Sequence, residues 1–519
     1  MAGNASKGYK IVLTADATLM SEYRGNMFFG FSSSAPTGFV PSWFYYKFVC
    51  PPVGSNGNGE ALLAPYALRK IEAFLVRHFG RDQVIVAHPN HLEKAIGEDT
   101  RVVGLSTMDP LGIGPVTSTF MGLFGREAYD VASFRKLMDS IASYGRQFKV
   151  VAGGPGAWQL ITEDGLEQYA IDSIVLGEAE DVIVPLFEKA IEGGPLPKTV
   201  ESKFVENVDE EVRIVNPSIC GLVEISRGCG RGCAFCSQTM RKLRCRSVRG
   251  IMEEVQTNIS AGKTDVIFHS EDAFAYRGSG IHPNSDAVMD LFKSVSKMKG
   301  VERINVSHGS YASVLSEPGL LGKISGVLGL SATDWKGYQV GLETGSPRLL
   351  NRHMRGKCKP FQPEEWQDVV KRATAISNDA GWVPVATLVM GLPEENEEDV
   401  LKTLELIDDL SGMRTMFFPL FFVPIGALAG KDSFGTEKMM PLHFELFLRC
   451  WQVNLKQWPK AFDDVARNLS YGWTEKAALR QIFRLSVSLA RRGLTSRMDA
   501  LKSGREFRMG SKKYRFEAA

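Results

Sequence analysis

The feature that most constrains the fold of this chain is a repeated alternation of short β-branched runs with amphipathic helical patterns. Five such runs and three helical patterns alternate in the first two hundred residues. Buried strands that alternate with amphipathic helices predict a doubly wound, Rossmann-like α/β domain, whose ligands bind beyond the carboxyl ends of the strands. The predicted strands are 11–14, 83–87, 102–105, 149–152 and 173–176, and the predicted helices are 64–79, 131–144 and 181–192.

A second alternation follows a segment, 193–217, that is rich in glycine, proline, glutamate and lysine and is predicted to be a linker. Six further βα units predict a partial (β/α)6 barrel with its chemistry at the carboxyl ends of the strands. The predicted strands are 222–226, 265–269, 303–307, 338–342, 383–390 and 415–422, and the predicted helices are 248–261, 285–298, 363–379 and 397–410.

Beyond residue 430 the pattern is mainly helical. We therefore expect an α/β domain over 1–200, a linker over 201–217, the barrel over 218–430 and a small helical domain over 431–519. The stretch 484–515 holds ten Lys or Arg against two acidic residues. Either it is a solvated helical face, or it is an electropositive surface for an acidic partner.

Composition excludes several broad classes. A chain of 519 residues with 44% hydrophobic and 23% charged residues is not disordered, collagen-like or coiled-coil. Its net charge of +2 gives no global reason to expect nucleic acid as a partner. The amino terminus is polar and the apolar run 416–429 is interrupted by proline and glycine, so we expect a cytoplasmic protein without a transmembrane segment.

Three of the eight cysteines fall together in the stretch SRGCGRGCAFCSQ, residues 226–238. Cys229, Cys233 and Cys236 are close enough in sequence for a glycine-rich loop to wrap their thiolates round one metal cluster. Three thiolates leave one iron of a four-iron cluster open to a small chelating molecule. A zinc site would require a fourth Cys or His, and the loop contains none; the nearest thiol, Cys245, lies in an arginine-rich stretch.

This stretch resembles the cluster motif of the radical S-adenosylmethionine (SAM) enzymes, including the aromatic Phe235 before the last cysteine. The resemblance implies a [4Fe–4S] cluster on the three cysteines, with SAM bound to the open iron. Reduction by an external low-potential electron donor would then cleave SAM to a 5′-deoxyadenosyl radical.

Later strand ends resemble the same family. Ser270-Glu271-Asp272 follows the second strand, where the family more often has Gly-Gly-Glu, and His308 follows the third. The runs GLETGS at 341–346 and VMGLPEE at 389–395 follow the fourth and fifth strands. The SAM-binding residues that the resemblance implies are Phe235, Ser270, Glu271, Asp272, His308, Glu343, Ser346 and Gly391.

The first series resembles the cobalamin-binding domain, through the strand ends VGLSTM, KVVAGGPGAW and IVLGEAED. The cobalamin-binding residues this implies are Asp16, Leu19, Ser106, Thr107, Met108, Gly153, Gly154, Pro155, Gly177 and Glu178. The D-x-H-x-x-G motif with its cobalt-ligating histidine is absent, since residues 15–26 read ADATLMSEYRGN. We therefore expect a lower cobalt face without histidine. A flavodoxin-like domain without cofactor is the alternative.

A cobalamin domain before a radical SAM barrel resembles the class B radical SAM methyltransferases. In that chemistry one SAM methylates cobalamin and another supplies the radical that activates the substrate carbon. The leading prediction is methylation of an sp3 carbon of a protein side chain, such as glutamine in methyl-coenzyme M reductase. The alternative is a cobalamin-domain radical SAM enzyme that forms carbon–carbon bonds or rings in a lipid or another small molecule. A binding protein without catalysis is the third possibility.

The substrate residues remain candidates chosen for their position between the expected cofactors: His282, Tyr311, Tyr338 and Phe421. A methylthiotransferase is disfavoured because its second cluster needs another cysteine triad. The remaining cysteines are scattered and have no assigned role: Cys50, Cys220, Cys245, Cys358 and Cys450.

Overall fold

The computed structural model describes residues 7–145, 147–202, 204–209, 212–237, 242–279, 281–330, 335–468 and 472–515. The chain divides into two compact units. The first unit comprises Met1–Met121, Glu127–Val223 and Arg249–Val266, and the second comprises Gly122–Arg126, Glu224–Val248 and Ile267–Ala519.

A parallel sheet of six strands forms the centre of the first unit, in the spatial order 2-1-3-4-5-6. Its strands are β1 (Ile11–Ala15), β2 (Val84–Val86), β3 (Val102–Ser106), β4 (Lys149–Gly153), β5 (Ser173–Leu176) and β6 (Thr199–Glu201). The helices of this part of the chain are α1 (Ser42–Phe44), α2 (Tyr66–Phe79), α3 (Pro115–Phe124), α4 (Tyr129–Ala142), α5 (Gln159–Thr162), α6 (Gly165–Gln168) and α7 (Ile183–Ile191).

Both faces of this sheet are covered. Val12 packs into one apolar cluster with Phe134 and Leu137 of α4, whereas its neighbour Leu13 packs into another with Leu68 of α2. Consecutive strand residues point to opposite faces, so this arrangement is the doubly wound fold that the sequence predicts. Within the glycine- and proline-rich segment 193–217, residues 199–201 form β6, an exposed edge strand whose short pattern gives little signal, and the linker over 201–217 stays a prediction.

The second unit contains most of a second set of parallel strands. The strands of this part of the chain are β7 (Leu222–Glu224), β8 (Ser226–Arg227), β9 (Arg244–Cys245), β10 (Asp265–His269), β11 (Arg303–Val306), β12 (Lys336–Glu343), β13 (Trp382–Met390) and β14 (Met416–Phe421). The helices are α8 (Val248–Ser260), α9 (Ser285–Ser296), α10 (Tyr311–Ser316), α11 (Leu320–Leu328), α12 (Pro347–His353), α13 (Arg355–Cys358), α14 (Trp366–Asp379) and α15 (Glu397–Leu410).

Six of these strands follow one another in chain order. One sheet has the order β7-β10-β11 and the other the order β12-β13-β14. Two backbone hydrogen bonds connect them, because Gly309 N donates to Gln339 O and Gln339 N donates to Ser307 O, each at 2.9 Å. Intervening helices complete the βα units, and the predicted α/β fold class is confirmed.

The last part of the chain is mainly helical, as predicted. It consists of α16 (Pro441–Asn468) and α17 (Trp473–Lys502), followed by a hairpin of β15 (Phe507–Met509) and β16 (Lys512–Tyr514) that the sequence analysis missed. These residues lie in the same compact unit as β11 to β14, and a domain boundary at residue 430 stays a prediction. No helix in the described part of the chain is long and apolar enough to cross a bilayer.

Candidate active site

The cysteine loop begins directly after β8, and backbone hydrogen bonds connect Ala234, between the second and third cysteines, to two other segments. Ala234 N donates to His353 O and Ala427 N donates to Ala234 O, each at 2.8 Å. A Cβ at Gly356 would lie 1.8 Å from Arg231 O, so only glycine lets the segment after β12 approach the loop this closely. These contacts hold the loop against the segments that contain His353, Gly356 and Ala427.

The three predicted cluster ligands lie together in this loop. Burial raises the pKa of the Cys229 and Cys233 thiols, and it raises the pKa of Cys236 to about 12, with the two other thiols adding to the shift. Among the described residues, no three Cys, His, Asp or Glu side chains converge as they would on a single metal ion. Thiolates of a four-iron cluster bind separate irons, so they stay further apart than ligands of one zinc ion, which share bonds of about 2.3 Å.

Arg231, between the first two cysteines, ties the loop to its surroundings. Its Nη2 donates to the hydroxyls of Ser310 and Ser313, each at 3.0 Å, and lies 3.6 Å from Asp272 Oδ2. Its Nη1 donates to Lys357 O at 3.0 Å and Lys359 O at 2.8 Å. Since Arg231 is only 7% exposed, its planar guanidinium is a fixed crosslink between three segments.

A second buried ion pair lies beside the thiols. Lys357 Nζ donates to Glu343 Oε1 at 2.8 Å. Burial alone would lower the pKa of Lys357, but Glu343 and the thiol of Cys233 outweigh it, and the pKa is raised. Glu343 has a φ of +65°, and it lies where the register of β12 against β13 shifts. This strained backbone directs the Glu343 carboxylate toward Lys357.

Beyond β10 and β11 the structure leaves several polar atoms buried without any hydrogen-bond partner. Asp272 Oδ2 accepts from Ser310 Oγ at 2.6 Å and Ser313 Oγ at 2.7 Å, whereas Asp272 Oδ1 has no partner. The other such atoms in this region are Ser226 Oγ, Arg231 Nε, His269 Nδ1, Ser270 Oγ, Glu271 Oε2 and His308 Nδ1. Buried polar groups are normally hydrogen-bonded, so this concentration fits a polar ligand such as the amino acid part of SAM.

Two predicted SAM residues are engaged elsewhere. Ser346 caps α12: its hydroxyl accepts from Leu349 N and donates to Asp399 Oδ1 at 2.5 Å. At Gly391 a Cβ would lie 2.0 Å from the ring of Phe434, so this ring covers the face where the sequence predicts a ligand. Phe235 is half-buried in the cysteine loop. The SAM-binding roles of these three residues stay predictions.

The predicted substrate residues differ in their surroundings. Tyr338 is fully buried and its hydroxyl shares a hydrogen bond of 2.9 Å with Ser377 of α14. Tyr311 is fully buried beside Trp366, and Phe421 packs against Phe434. These three side chains therefore have the packing of core residues, whereas His282 is exposed.

In the first unit, the predicted cobalamin residues of β3 and β4 lie side by side, since Ser106 pairs in register with Gly153. Thr107 N and Oγ1 both donate to Gly153 O at 2.9 Å. Gly154 has φ of +97°, and its Cβ would lie 2.6 Å from Thr107 O, so glycine is required there by backbone packing. A Cβ at Gly153 would make only ordinary contacts, so this position has room for a ligand.

Several residues that follow β3 and β4 are exposed to solvent. Gly154 and Pro155 are exposed and Met108 is 54% exposed, an uncommon position for a large apolar side chain. Glu178, just after Gly177, accepts from Val205 N at 3.0 Å. The exposed apolar surface formed by Met108 beside Gly153 and Gly154 is here called the ledge. Such a surface fits a large flat cofactor.

The remaining predicted residues of this group have local structural roles. Asp16 Oδ1 accepts from Thr18 N at 2.8 Å and from Thr18 Oγ1 at 2.5 Å, and burial raises the pKa of Asp16. Leu19 packs against the apolar cluster that contains Leu13. Their contacts with cobalamin stay predictions.

Sequence reasoning missed three residues of the candidate site in the second unit: Arg231, Lys357 and His269. Arg231 lies inside the quoted cysteine motif and His269 directly precedes Ser270, so position alone could have identified them. Lys357 is separated from its partner by fourteen positions and carried no local signal.

Residues 223–407 match the family model described as "Radical SAM superfamily". Among curated relatives, the chain is 28% identical over 216 residues to ribosomal protein uS12 methylthiotransferase RimO of Thermotoga petrophila. That alignment covers 41% of this chain and 45% of the relative, so the chain spans less than half the length of that protein. It is 23% identical over 341 residues to tRNA-2-methylthio-N(6)-dimethylallyladenosine synthase of Orientia tsutsugamushi, covering 63% of this chain and 72% of the relative.

Among solved structures, the fold is similar to that of the radical SAM methyltransferase TsrM from Kitasatospora setae. One structure, with cobalamin and a [4Fe–4S] cluster bound, has a TM-score of 0.50 and 14% identity, and covers 81% of this chain and 74% of TsrM. Another, with tryptophan substrate and the SAM analogue aza-SAM, has a TM-score of 0.52 and 15% identity, and covers 81% and 75%. Residues 223–407 are therefore a radical SAM domain, within a chain whose fold resembles that of TsrM.

Proposed function

We propose that this protein is a cobalamin-dependent radical SAM methyltransferase that methylates an sp3 carbon of a protein side chain. The observation that carries the proposal is the position of the cysteine loop: its thiols lie beside a concentration of buried polar atoms without partners. The radical SAM domain match and the fold shared with TsrM, which binds cobalamin, support it.

In this proposal, different residues bind the iron–sulfur cluster, SAM and cobalamin. Cys229, Cys233 and Cys236 would hold a [4Fe–4S] cluster, and the unpartnered polar atoms of Ser270, Glu271 and Asp272, which follow β10, would hold SAM. The ledge around Gly153 would hold cobalamin. Bound together, these groups would supply a hydrogen-abstracting radical and a transferable methyl group.

The chain's own contribution is binding and orientation. Arg231 holds the cysteine loop against Asp272, and it leaves one oxygen of that carboxylate free for a ligand. Lys357 holds Glu343 beside the thiols, and both side chains of this pair are mostly buried. Fixed donors and acceptors need no reorganisation when ligands bind.

We further propose that the methylated group is a glutamine side chain, such as that of methyl-coenzyme M reductase. The basic stretch 484–515 supports a polypeptide substrate, because the three side chains Arg491, Arg492 and Arg505 line one surface depression of about 470 Å³. An acidic peptide segment is complementary to such a surface.

The relatives named as methylthiotransferases suggest a different product, the addition of a methylthio group. The five cysteines outside the loop are scattered along the sequence and form no second triad in it. This favours methyl transfer over methylthio transfer.

Product analysis tests the proposal. The anaerobically reconstituted chain is incubated with cobalamin, a reductant, SAM carrying a trideuterated methyl group, and glutamine-containing peptides. We expect mass spectrometry to find one trideuterated methyl group on a side-chain carbon. A methylthio product, or a lipid ring formed without methyl gain in a parallel lipid incubation, would contradict it.

A further inference from the structure

The strands of the second unit have one face covered by helices and one opposite face, here called the inner face. The ring of Phe268 contacts Phe292 of α9, with centroids 5.1 Å apart, and Tyr338 bonds to Ser377 of α14. Since consecutive strand residues point to opposite faces, His269 and Gln339 belong to the inner face.

His308 lies on the same face. Its ring centroid is 6.2 Å from that of His269, and its backbone pairs with Gln339. Glu224 and Glu271 are the charged groups that act electrostatically on His269 from neighbouring strands. The inner face near the strand ends is thus polar, in contrast to an ordinary barrel core of branched aliphatic residues.

Both imidazoles have capacity for hydrogen bonds that the protein does not use. Nδ1 of His269 and Nδ1 of His308 are buried and have no partner, although the Gln339 side chain and the Ser270 backbone act as hydrogen-bond partners of the His308 ring. Burial lowers the pKa of His308 to about 4, with His269 adding to the shift, so its ring is neutral near pH 7. A neutral imidazole has one donor and one acceptor nitrogen.

An apolar ligand on this face would leave these atoms permanently unsatisfied. A buried polar atom without a partner loses its hydrogen bonds to water and gains none in return, so hydrocarbon is disfavoured here. A group with both a donor and an acceptor, such as a carboxamide, can satisfy two facing imidazoles whichever tautomers they hold.

We infer that His269 and His308 form a specificity-determining pair that accepts a carboxamide-bearing substrate and disfavours an aliphatic one. This inference rests on the proposed function, because it names the substrate class of the same site. It assigns His308 to the substrate, whereas the sequence resemblance placed it among the SAM residues.

A binding experiment tests the pair without turnover. The probes are N-acetylglutaminamide and N-acetylnorleucinamide, whose side chains match in length and differ in the carboxamide. The full chain, reconstituted with cluster and cobalamin and kept unreduced, is studied with saturation-transfer NMR in the presence and absence of SAM. We expect at least threefold greater transfer to the glutamine side chain than to the norleucine side chain, with or without SAM.

Variants extend the test. His269→Phe and His308→Phe should each lower transfer to the glutamine probe at least threefold, whereas His269→Gln, which keeps hydrogen bonding, should largely retain it. His78→Phe is the matched control, because His78 lies in the first unit and is half exposed. It should leave both probes unchanged.

Equal transfer to both probes, transfer to neither, or loss of the glutamine signal when SAM is added would each overturn the inference. The probe comparison on the unaltered chain decides even where a phenylalanine variant fails to fold. Because no reduction is involved, failure of the methyltransferase proposal would appear separately, as absence of 5′-deoxyadenosine in the reduced enzyme.

Discussion

At the scale of single residues, the cysteine triad was recognisable because its ligands are close together in sequence. Its supporting residues were not, since Arg231 and Lys357 acquire their roles only through partners far along the chain. Ser346 has a structural role that its motif did not indicate, because its hydroxyl caps a helix and bonds to Asp399, while its SAM-binding role stays a prediction.

Arg231→Met should destabilise the cluster-free chain by about 3 kcal/mol, because it leaves the buried Asp272 carboxylate without its cation. Unfolding in guanidinium chloride measures this loss of stability. In the reconstituted protein, a chelator should also remove iron faster. Arg231→Lys should recover only part of the stability, since an ammonium cannot reproduce the forked hydrogen bonds.

The control for this substitution is Arg372→Met. Arg372 pairs with Asp368 on the same helix, and both side chains are 63% exposed. Exposed pairs contribute less than about 1 kcal/mol, so stability should hardly change. Equal losses in the two variants would contradict a special role for Arg231.

His308 gives a prediction about pH. Its pKa is about 4 in the folded chain, below the value of about 6.5 for an exposed histidine. As the pH falls below 6.5 the unfolded chain binds the proton first, so this residue's contribution to stability is full above 6.5 and is lost progressively toward pH 4. In urea unfolding of the cluster-free chain, the free energy of unfolding of the wild type should fall more steeply between pH 7 and pH 5 than that of His308→Gln. Parallel falls in the two proteins would contradict the lowered pKa of His308 in the folded chain.

At the scale of elements, the spacing and length of the apolar runs in the sequence identified nearly all the central strands. A strand that is buried on both faces appears in the sequence as a continuous apolar run. The elements that were missed are short and exposed. β6 presents alternate residues to solvent at a sheet edge, and the hairpin of β15 and β16 has only three residues in each strand. Such pieces are fixed by the neighbours they pair with, and their own sequence carries little pattern.

Gly154→Ala tests the turn after β4. Its left-handed backbone costs an alanine about 1–3 kcal/mol, and the new methyl group would meet Thr107 O at 2.6 Å. We expect lower stability of the chain in urea and less cobalamin retained after gel filtration, measured by visible absorbance.

Gly57→Ala is the matched control. A Cβ at Gly57 would meet no atom within 4 Å, and the φ of Gly57 lies outside the left-handed region. It should change stability by less than about 0.5 kcal/mol and leave cobalamin retention unchanged. If Gly154→Ala behaves like this control, the turn does not constrain the ledge on which cobalamin is proposed to bind.

At the scale of the whole molecule, the first series of strands forms one sheet of six strands and the second series forms two sheets of three, and the division into two series could be read from the sequence. The substrate could not, because specificity depends on which polar side chains meet on the inner face of the second unit. His269 and His308 are about forty positions apart in the sequence, and the relation between them emerges only when β10 and β11 lie side by side.

The central claim is that the chain uses SAM both as methyl donor and as radical source. The most direct measurement is the ratio of S-adenosylhomocysteine to 5′-deoxyadenosine formed by the reduced, cobalamin-loaded enzyme with a glutamine-containing peptide. We predict equal amounts of both, and loss of 5′-deoxyadenosine in Cys233→Ala but not in Cys450→Ala, a buried cysteine far from the loop in sequence. Formation of 5′-deoxyadenosine without S-adenosylhomocysteine, or an unchanged yield in Cys233→Ala, would contradict the claim.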